Sequence, residues 1–322
     1  MFTLLEFLAI RSGRKKCETA KDIVLFRHLN NLVNDCLSMF KYENVPETID
    51  IIYFELCLLF NGSVCIYKNN ENIICAQGGD TGDIDIYGHG KQYLCQTVNG
   101  DNSVTITKGI DGAVAYNNYT RSPDFNITAF AQFFTELELS ENLNVLFSRL
   151  TRLPYAEDVK EETKIKEAIN SILRGDFACI ISENRSIENE FLNVPIGEKY
   201  LDLADVRNIP YLQYLSEYYD ILMKRFYTKY GHSLQTTSKH AQVSRDEIRG
   251  LDSVSWIYPT EMLECRKKAI NETNKIFNTN MRVEFSPIWQ REYIKYFANE
   301  NSVNRIDESE AEKNESETIS QS

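Results

Sequence analysis

The residues with catalytic potential in this chain are four histidines, eight cysteines and scattered carboxylates, and their spacing excludes the familiar centres. The cysteines (17, 36, 57, 65, 75, 95, 179, 265) contain no CxxC pair, so the closely spaced ligand pairs of a zinc site are missing. His28, His89, His232 and His240 form no HExxH pattern, and no GxSxG nucleophile elbow occurs. The stretch Gly78-Gly79-Asp80-Thr81-Gly82-Asp83-Ile84-Asp85 invites two readings. A phosphate loop fails, because the Gly90-Lys91 pair is followed by Gln92 and has no glycine five residues upstream. A calcium loop from Asp80, Asp83 and Asp85 fails as well, because the EF-hand order and terminal glutamate are absent. The stretch therefore predicts a solvated turn. No catalytic residue, metal site or cofactor is assigned.

Two basic spots remain. One is Arg11, Arg14, Lys15 and Lys16; the other runs from Lys239 and His240 to Arg245 and Arg249. On a monomer such a cluster is ordinarily a solvated face. In a closed ring each lysine becomes a circle of lysines, and their summed field acts on whatever passes through.

The elements that must position these groups follow from the periodicity. Leu25, Leu29, Leu32, Val33, Cys36, Leu37 and Phe40 mark one face of a helix over Asp22–Tyr42, with Asp22 as its cap and Asn44-Val45-Pro46 as its end. A second helix runs from Ile49 to Phe60 and closes at Asn61-Gly62. Strands are predicted at Val64–Tyr67, Ile73–Ala76, Ile84–Tyr87, Gln92–Thr97, Ser103–Lys108 and Ala113–Tyr116. Helices return at Ile127–Leu150 and at Val159–Arg174, followed by a strand at Phe177–Ser182. A long helix runs from Pro210 to Gly231. His232–Gly250 is polar and aperiodic and reads as a loop. A helix over Glu261–Phe277, a strand over Met281–Phe285 and a helical segment over Pro287–Phe297 complete the folded part.

The composition agrees with a large mixed domain. The chain has 322 residues, 43% hydrophobic, with only 14 Gly and 7 Pro, which favours long elements over a many-turned sandwich. A net charge of −12 excludes a general nucleic-acid binder, which needs clustered cations to neutralise phosphates. The scattered cysteines read as reduced thiols made in a cytoplasm, with Cys36, Cys57 and Cys179 inside apolar runs. Met1–Ile10 is apolar, but its charges follow rather than precede it, so it is not a signal peptide. It is also too short to span a bilayer, and it reads as a terminal segment that packs on the fold. The last residues, 299–322, are polar and acidic and too poor in apolar groups to fold.

The order of these elements resembles the portal proteins (head–tail connector, upper collar) of small podoviruses with protein-primed linear double-stranded DNA genomes. The resemblance rests on three stretches. The first runs from His28-Leu29-Asn30 through Phe40-Lys41-Tyr42-Glu43-Asn44-Val45-Pro46-Glu47-Thr48-Ile49 into Leu59-Phe60-Asn61-Gly62-Ser63-Val64 and Tyr67-Lys68. The second is Ala113-Val114-Ala115-Tyr116-Asn117-Asn118 and the Phe-rich helix from Ile127. The third is Asp246-Glu247-Ile248, then Glu264-Cys265-Arg266-Lys267-Lys268-Ala269-Ile270-Asn271 and Asn280-Met281-Arg282-Val283-Glu284-Phe285.

The resemblance implies an α+β, mainly helical portal fold. Residues 1–126 would be the N-terminal arm and wing, 127–150 the first stem helix, and 151–207 a small α/β clip. Residues 208–231 would be the second stem helix, 232–250 the channel loop, 251–298 a helical crown and 299–322 a disordered acidic tail. It implies a twelve-fold homo-oligomeric ring at the capsid vertex of the virion, assembled in the bacterial cytoplasm. The implied partners are the major capsid protein, a packaging motor (an ATPase, with or without a packaging RNA), a lower collar or tail protein, and double-stranded DNA without sequence specificity, with no membrane. The positions matching the family's channel contacts are Lys239 and His240, with Arg245 a little beyond. Arg11, Arg14, Lys15 and Lys16 would face the packaging machinery, although the apolar start departs from the family's more basic arm. Two other readings compete. A collar or tail adaptor on the same axis would sit in the tail tube, and an enzyme acting on nucleic acid would need a metal-binding carboxylate cluster.

Overall fold

The computed structural model describes residues 3–96, 103–147, 152–154, 159, 163, 166, 200–202, 209–231 and 255–294. The chain divides into two compact units, Met1–Gln132 with Leu222–Ser322, and Phe133–Ile221.

In the first unit, α1 (Leu4–Arg11) and α2 (Ala20–Leu37) both start with capping boxes. Thr3 accepts from the Glu6 N–H while the Glu6 carboxylate reaches back, and Thr19 does the same with Asp22. Asp22 is thus the third helical residue rather than the cap. The apolar start does pack: Phe7 is fully buried, with its ring 5.5 Å from Phe26 and 5.0 Å from Phe60. Helix α2 stops at Leu37, short of the predicted Tyr42. Residues Phe40–Glu43 form strand β1 instead, antiparallel to β9 (Arg282–Phe285), with Phe40 opposite Phe285 and their rings stacked. The helical apolar period ran on through Phe40, but a partner some 240 residues away decided the local structure. Helix α3 (Ile51–Asn61) is capped by Asp50, which accepts from the Ile52 and Tyr53 N–H groups, and it ends at Gly62 in the left-handed region.

A five-stranded antiparallel sheet follows in the order β5-β4-β3-β2-β6. Its strands are β2 (Ser63–Asn69), β3 (Asn72–Ile84), β4 (Gly90–Gln96), β5 (Ser103–Thr107) and β6 (Gly112–Tyr116). Laid flat, its outer strands would lie about 19 Å apart, at roughly 4.8 Å per step. Yet a short turn joins them, and within it the Gly109 N–H donates to the Gly112 carbonyl. The sheet must therefore curl on itself. Its interior holds Cys65, Tyr67, Ala76, Tyr93, Cys95, Ile106 and Val114.

The stretch Gly78–Ile84, expected to turn, is the second half of β3 and pairs with β4. A side chain at Gly78 would run into the Leu94 backbone, 1.9 Å from its carbonyl oxygen, so glycine here serves a close approach of strands. The real turn comes later, where Asp85 accepts from the Tyr87 and His89 N–H groups. Ile84–Tyr87 is thus a strand end and turn rather than a strand. Helix α6 (Ile257–Phe277) packs against β6 and β9, and residues 287–294 are helical.

The long helix α4 (Phe125–Phe147) leads from the first unit into the second, and α5 (Ile209–Lys229) leads back. In the second unit Leu137 and Leu215 are buried and the Phe134 and Tyr219 rings lie 5.0 Å apart. Strands β7 (Arg152–Pro154) and β8 (Tyr200–Asp202) pair antiparallel. The predicted helix at 159–174 is described only at Val159, Thr163 and Lys166, all helical, and the strand at 177–182 lies outside the described residues. So does the acidic tail.

The seven described cysteines are free. Cys36, Cys57, Cys65 and Cys95 are buried, whereas Cys17, Cys75 and Cys265 are partly exposed. No described helix is long and apolar enough to cross a membrane.

Candidate functional site

The predicted DNA-contact residues Lys239, His240 and Arg245 lie outside the described residues, but both flanks of their segment are described. Helix α5 ends at Tyr230-Gly231, and the chain resumes at Ser255-Trp256 just before α6. Gly231 takes φ +86°, and a Cβ there would sit 2.9 Å from the Trp256 ring, so the two flanks touch.

A single carboxylate locks this junction. Asp124, 4% exposed, uses Oδ1 to accept from the Asn126 N–H at the start of α4. Its Oδ2 accepts from the Tyr230 hydroxyl at 2.6 Å and the Tyr258 hydroxyl at 2.9 Å. Burial, and then the nearby Cys36 and Asp124, push the Tyr230 phenol well above its ordinary value. Tyr258 is raised by burial and by Asp124. Lys229 lies over the Tyr258 ring at 4.9 Å, and its own burial pulls its pKa down. On the far side Trp256 meets Phe285 and Tyr293 edge-on. The two described flanks of the segment carrying the three predicted residues are therefore held together at one hydrogen-bonded root.

Behind it lies a second buried joint. Arg266 of α6 is fully buried and forks onto Glu55 of α3, with Nε to Oε1 at 2.8 Å and Nη2 to Oε2 at 2.7 Å. Its remaining donors reach the Asn117 and Met262 carbonyls and the Asn117 side chain. The Tyr42 hydroxyl donates to the same Glu55, and the guanidinium stacks over Phe40 at 4.3 Å. Burial opposes the Arg266 charge, but Glu55 outweighs it and holds the side chain protonated.

The other predicted cluster, Arg11, Arg14, Lys15 and Lys16, is fully described and solvent-exposed. The Arg14 and Lys15 N–H groups both close on the Ala9 carbonyl, which keeps the cluster at the end of α1. Lys15 pairs with Glu6 at 3.0 Å, which raises the lysine and lowers the glutamate.

A cleft of about 840 Å³ opens between the curled sheet and α6. Some of its charged side chains have partners. Lys108 meets Asp80 at 2.6 Å, Arg121 stacks on Tyr116 at 4.4 Å, and Asp85 faces His89 at 3.6 Å. Asp80, weighed above as a calcium ligand, is thus an ion-pair partner. Cys265 on the cleft wall has its pKa raised by burial, the opposite of an activated thiol. Among the described residues no three metal-ligating side chains come together.

The joints around Asp124 and Arg266 went unrecognised in the sequence. The available signal for Arg266 was its place on the apolar face of α6, between Met262, Ala269 and Ile270.

A family model described as Phage Connector (GP10) matches residues 13–288. Among solved structures the chain is similar to "Portal and tail of native bacteriophage P68", with a TM-score of 0.38 and 17% identity, covering 84% of this chain and 92% of that one. No curated protein matches the chain.

Proposed function

Because this chain belongs to the phage connector family, and so joins head to tail in the virion, we propose that its copies close into a ring through which double-stranded DNA enters and leaves the capsid. The match over 13–288 carries this reading, and it does not favour the tail-adaptor alternative. The family is a structural one, in keeping with a protein that holds and guides rather than turns over a substrate. The twelve-fold count belongs to the same proposal. So does the partition into arm and wing (1–126), stem helices (127–150 and 208–231), clip (151–207), channel loop (232–250) and crown (251–298). The proposed partners are the major capsid protein, the packaging motor and the lower collar or tail protein.

In this reading the net negative charge of −12 keeps a polyanion from sticking to the channel. Rings of Lys239, His240 and Arg245 give transient phosphate contacts that read no bases. The root at Asp124 is in keeping with this, because it ties together the two described flanks of the segment. His240 stands where the family has a second lysine, so the charge of that ring falls as pH rises through the histidine range. The exposed Arg11, Arg14, Lys15 and Lys16 are proposed to dock the packaging machinery.

The test is a Lys239→Ala, Arg245→Ala double variant in assembled particles. Rings should form normally, while retention of packaged DNA drops. Wild-type packaging and retention in that variant would remove these residues from the mechanism.

A further inference from the structure

We infer that residues 307–317, the chain's own acidic segment, dock on the cations at the end of α1 and mask them until a stronger polyanion displaces them. This rests on the reading of that cluster as a docking site for the packaging machinery. Arg11, in the last turn of α1, already answers the negative end of the helix dipole. The sequence then adds three more cations. Gly13, at φ +75°, turns the chain back, and the Arg14 and Lys15 N–H groups close on the Ala9 carbonyl at 2.8 and 3.1 Å. Arg14, Lys15 and Lys16 are thereby gathered at the helix end instead of trailing away from it.

Little around them neutralises this charge. Among the described residues Arg11, Arg14 and Lys16 have no ion-pair partner, and the Lys15–Glu6 contact is solvated. Of the acids nearby, Glu6 and Asp22 are held in the capping boxes of α1 and α2, which leaves Glu18. By contrast, Lys267, Lys268 and Lys275 of α6 are interspersed with Glu261, Glu264 and Glu272 and build no net positive field.

The occupant follows from charge and reach. Residues 307–317 hold six acids against Lys313 and nothing more apolar than Ala311, so charge is the one handle they offer. A compact unit of about 200 residues is about 40 Å across. The described chain ends at Ile294, in the same unit as α1, and the roughly 14 residues from there to Glu308 extend to about 46 Å. The segment can therefore reach the cluster. Tethering holds it at an effective concentration of about a millimolar. A few solvated ion pairs then occupy the site without locking it, and a more highly charged chain displaces them.

Two measurements on the full-length protein test this. Carbodiimide cross-linking joins an amine only to a carboxylate in contact with it. Peptide mapping should find Lys15 or Lys16 joined to Glu308, Glu310 or Glu312 on chains that still run at single-chain mass in denaturing gels. Added heparin should abolish these joins. The second measurement is a charge cycle read by heparin binding at low salt. Asp307→Asn, combined with Gln in place of Glu308, Glu310, Glu312, Glu315 and Glu317, should tighten binding about three- to tenfold, as unmasking a site covered for about two-thirds to nine-tenths of the time would. The gain should close by about 0.5 M salt. In an Arg11→Ala, Arg14→Ala, Lys16→Ala background the same change in the segment should give no gain.

Cross-links to the α6 lysines instead, or only between two chains, would overturn the inference while leaving the cluster as a docking site. So would a gain that survives in the triple-alanine background, because it would be a general loss of repulsion. Heparin binding untouched by the triple-alanine change would remove the docking reading itself, and the inference with it.

Discussion

Glu55–Arg266 and Glu6–Lys15 are both glutamate–base pairs at hydrogen-bond distance, one in the core of the first unit and one at its surface. The core pair is a two-bond fork with side chains 3% and 0% exposed, and every remaining guanidinium hydrogen finds a carbonyl, an amide or a ring face. The surface pair is a single contact with side chains 39% and 45% exposed. The same residue types thus do two jobs. A buried fork cannot exchange partners without stranding a charge, so it serves to join α3 to α6 within the core. A solvated pair can give up its glutamate for a phosphate at little cost, so the α1 cluster remains available to a polyanion.

The largest effect that could break this contrast is Arg266→Ala. It leaves Glu55 buried against the Tyr42 hydroxyl alone and should destabilise the protein by about 3–5 kcal/mol in urea unfolding. Arg266→Lys should not restore the loss, because an ammonium cannot replace the planar fork. A change below about 1 kcal/mol would mean that the joint is dispensable.

Next comes Asp124→Ala, which takes the strongest acceptor from the buried Tyr230 hydroxyl and one acceptor from the half-buried Tyr258, at about 1–3 kcal/mol in all. The same tyrosines set an alkaline limit. Their folded pKa values lie above the ordinary 10.0, so the stability linked to them is complete below pH 10 and is lost as the pH rises beyond it. Phenolate absorbance from these two rings should therefore appear only together with unfolding. Their titration near pH 10 in the folded protein would contradict the described root.

The smallest effect sharpens the contrast from the other side. Lys15→Ala should leave the melting temperature unchanged and weaken binding to a polyanion such as heparin, with a shallower salt dependence. A clear drop in melting temperature would show that the surface pair is structural after all.

Most helices and strands were legible in the sequence because their signals are local. Gly62 and Gly231 stand where helices end, and the hairpin strands alternate around a short polar turn. The failures were long-range. Phe40–Glu43 continues a helical pattern, yet it pairs with Arg282–Phe285 across the length of the chain. Gly78–Ile84 has turn composition, yet β4 recruits it into the sheet. The site was less legible than the fold. The basic residues could be picked out by charge, but the acids and tyrosines that hold their surroundings come from distant segments. Asp124, Tyr230 and Tyr258 meet only after folding, and nothing in their spacing marks them as partners.

The most direct measurement is an electron-microscopy image of the purified full-length protein, supported by its native mass. A closed ring whose central hole is about as wide as a DNA duplex is the predicted result. A monodisperse monomer, or an assembly with no central opening, would contradict it.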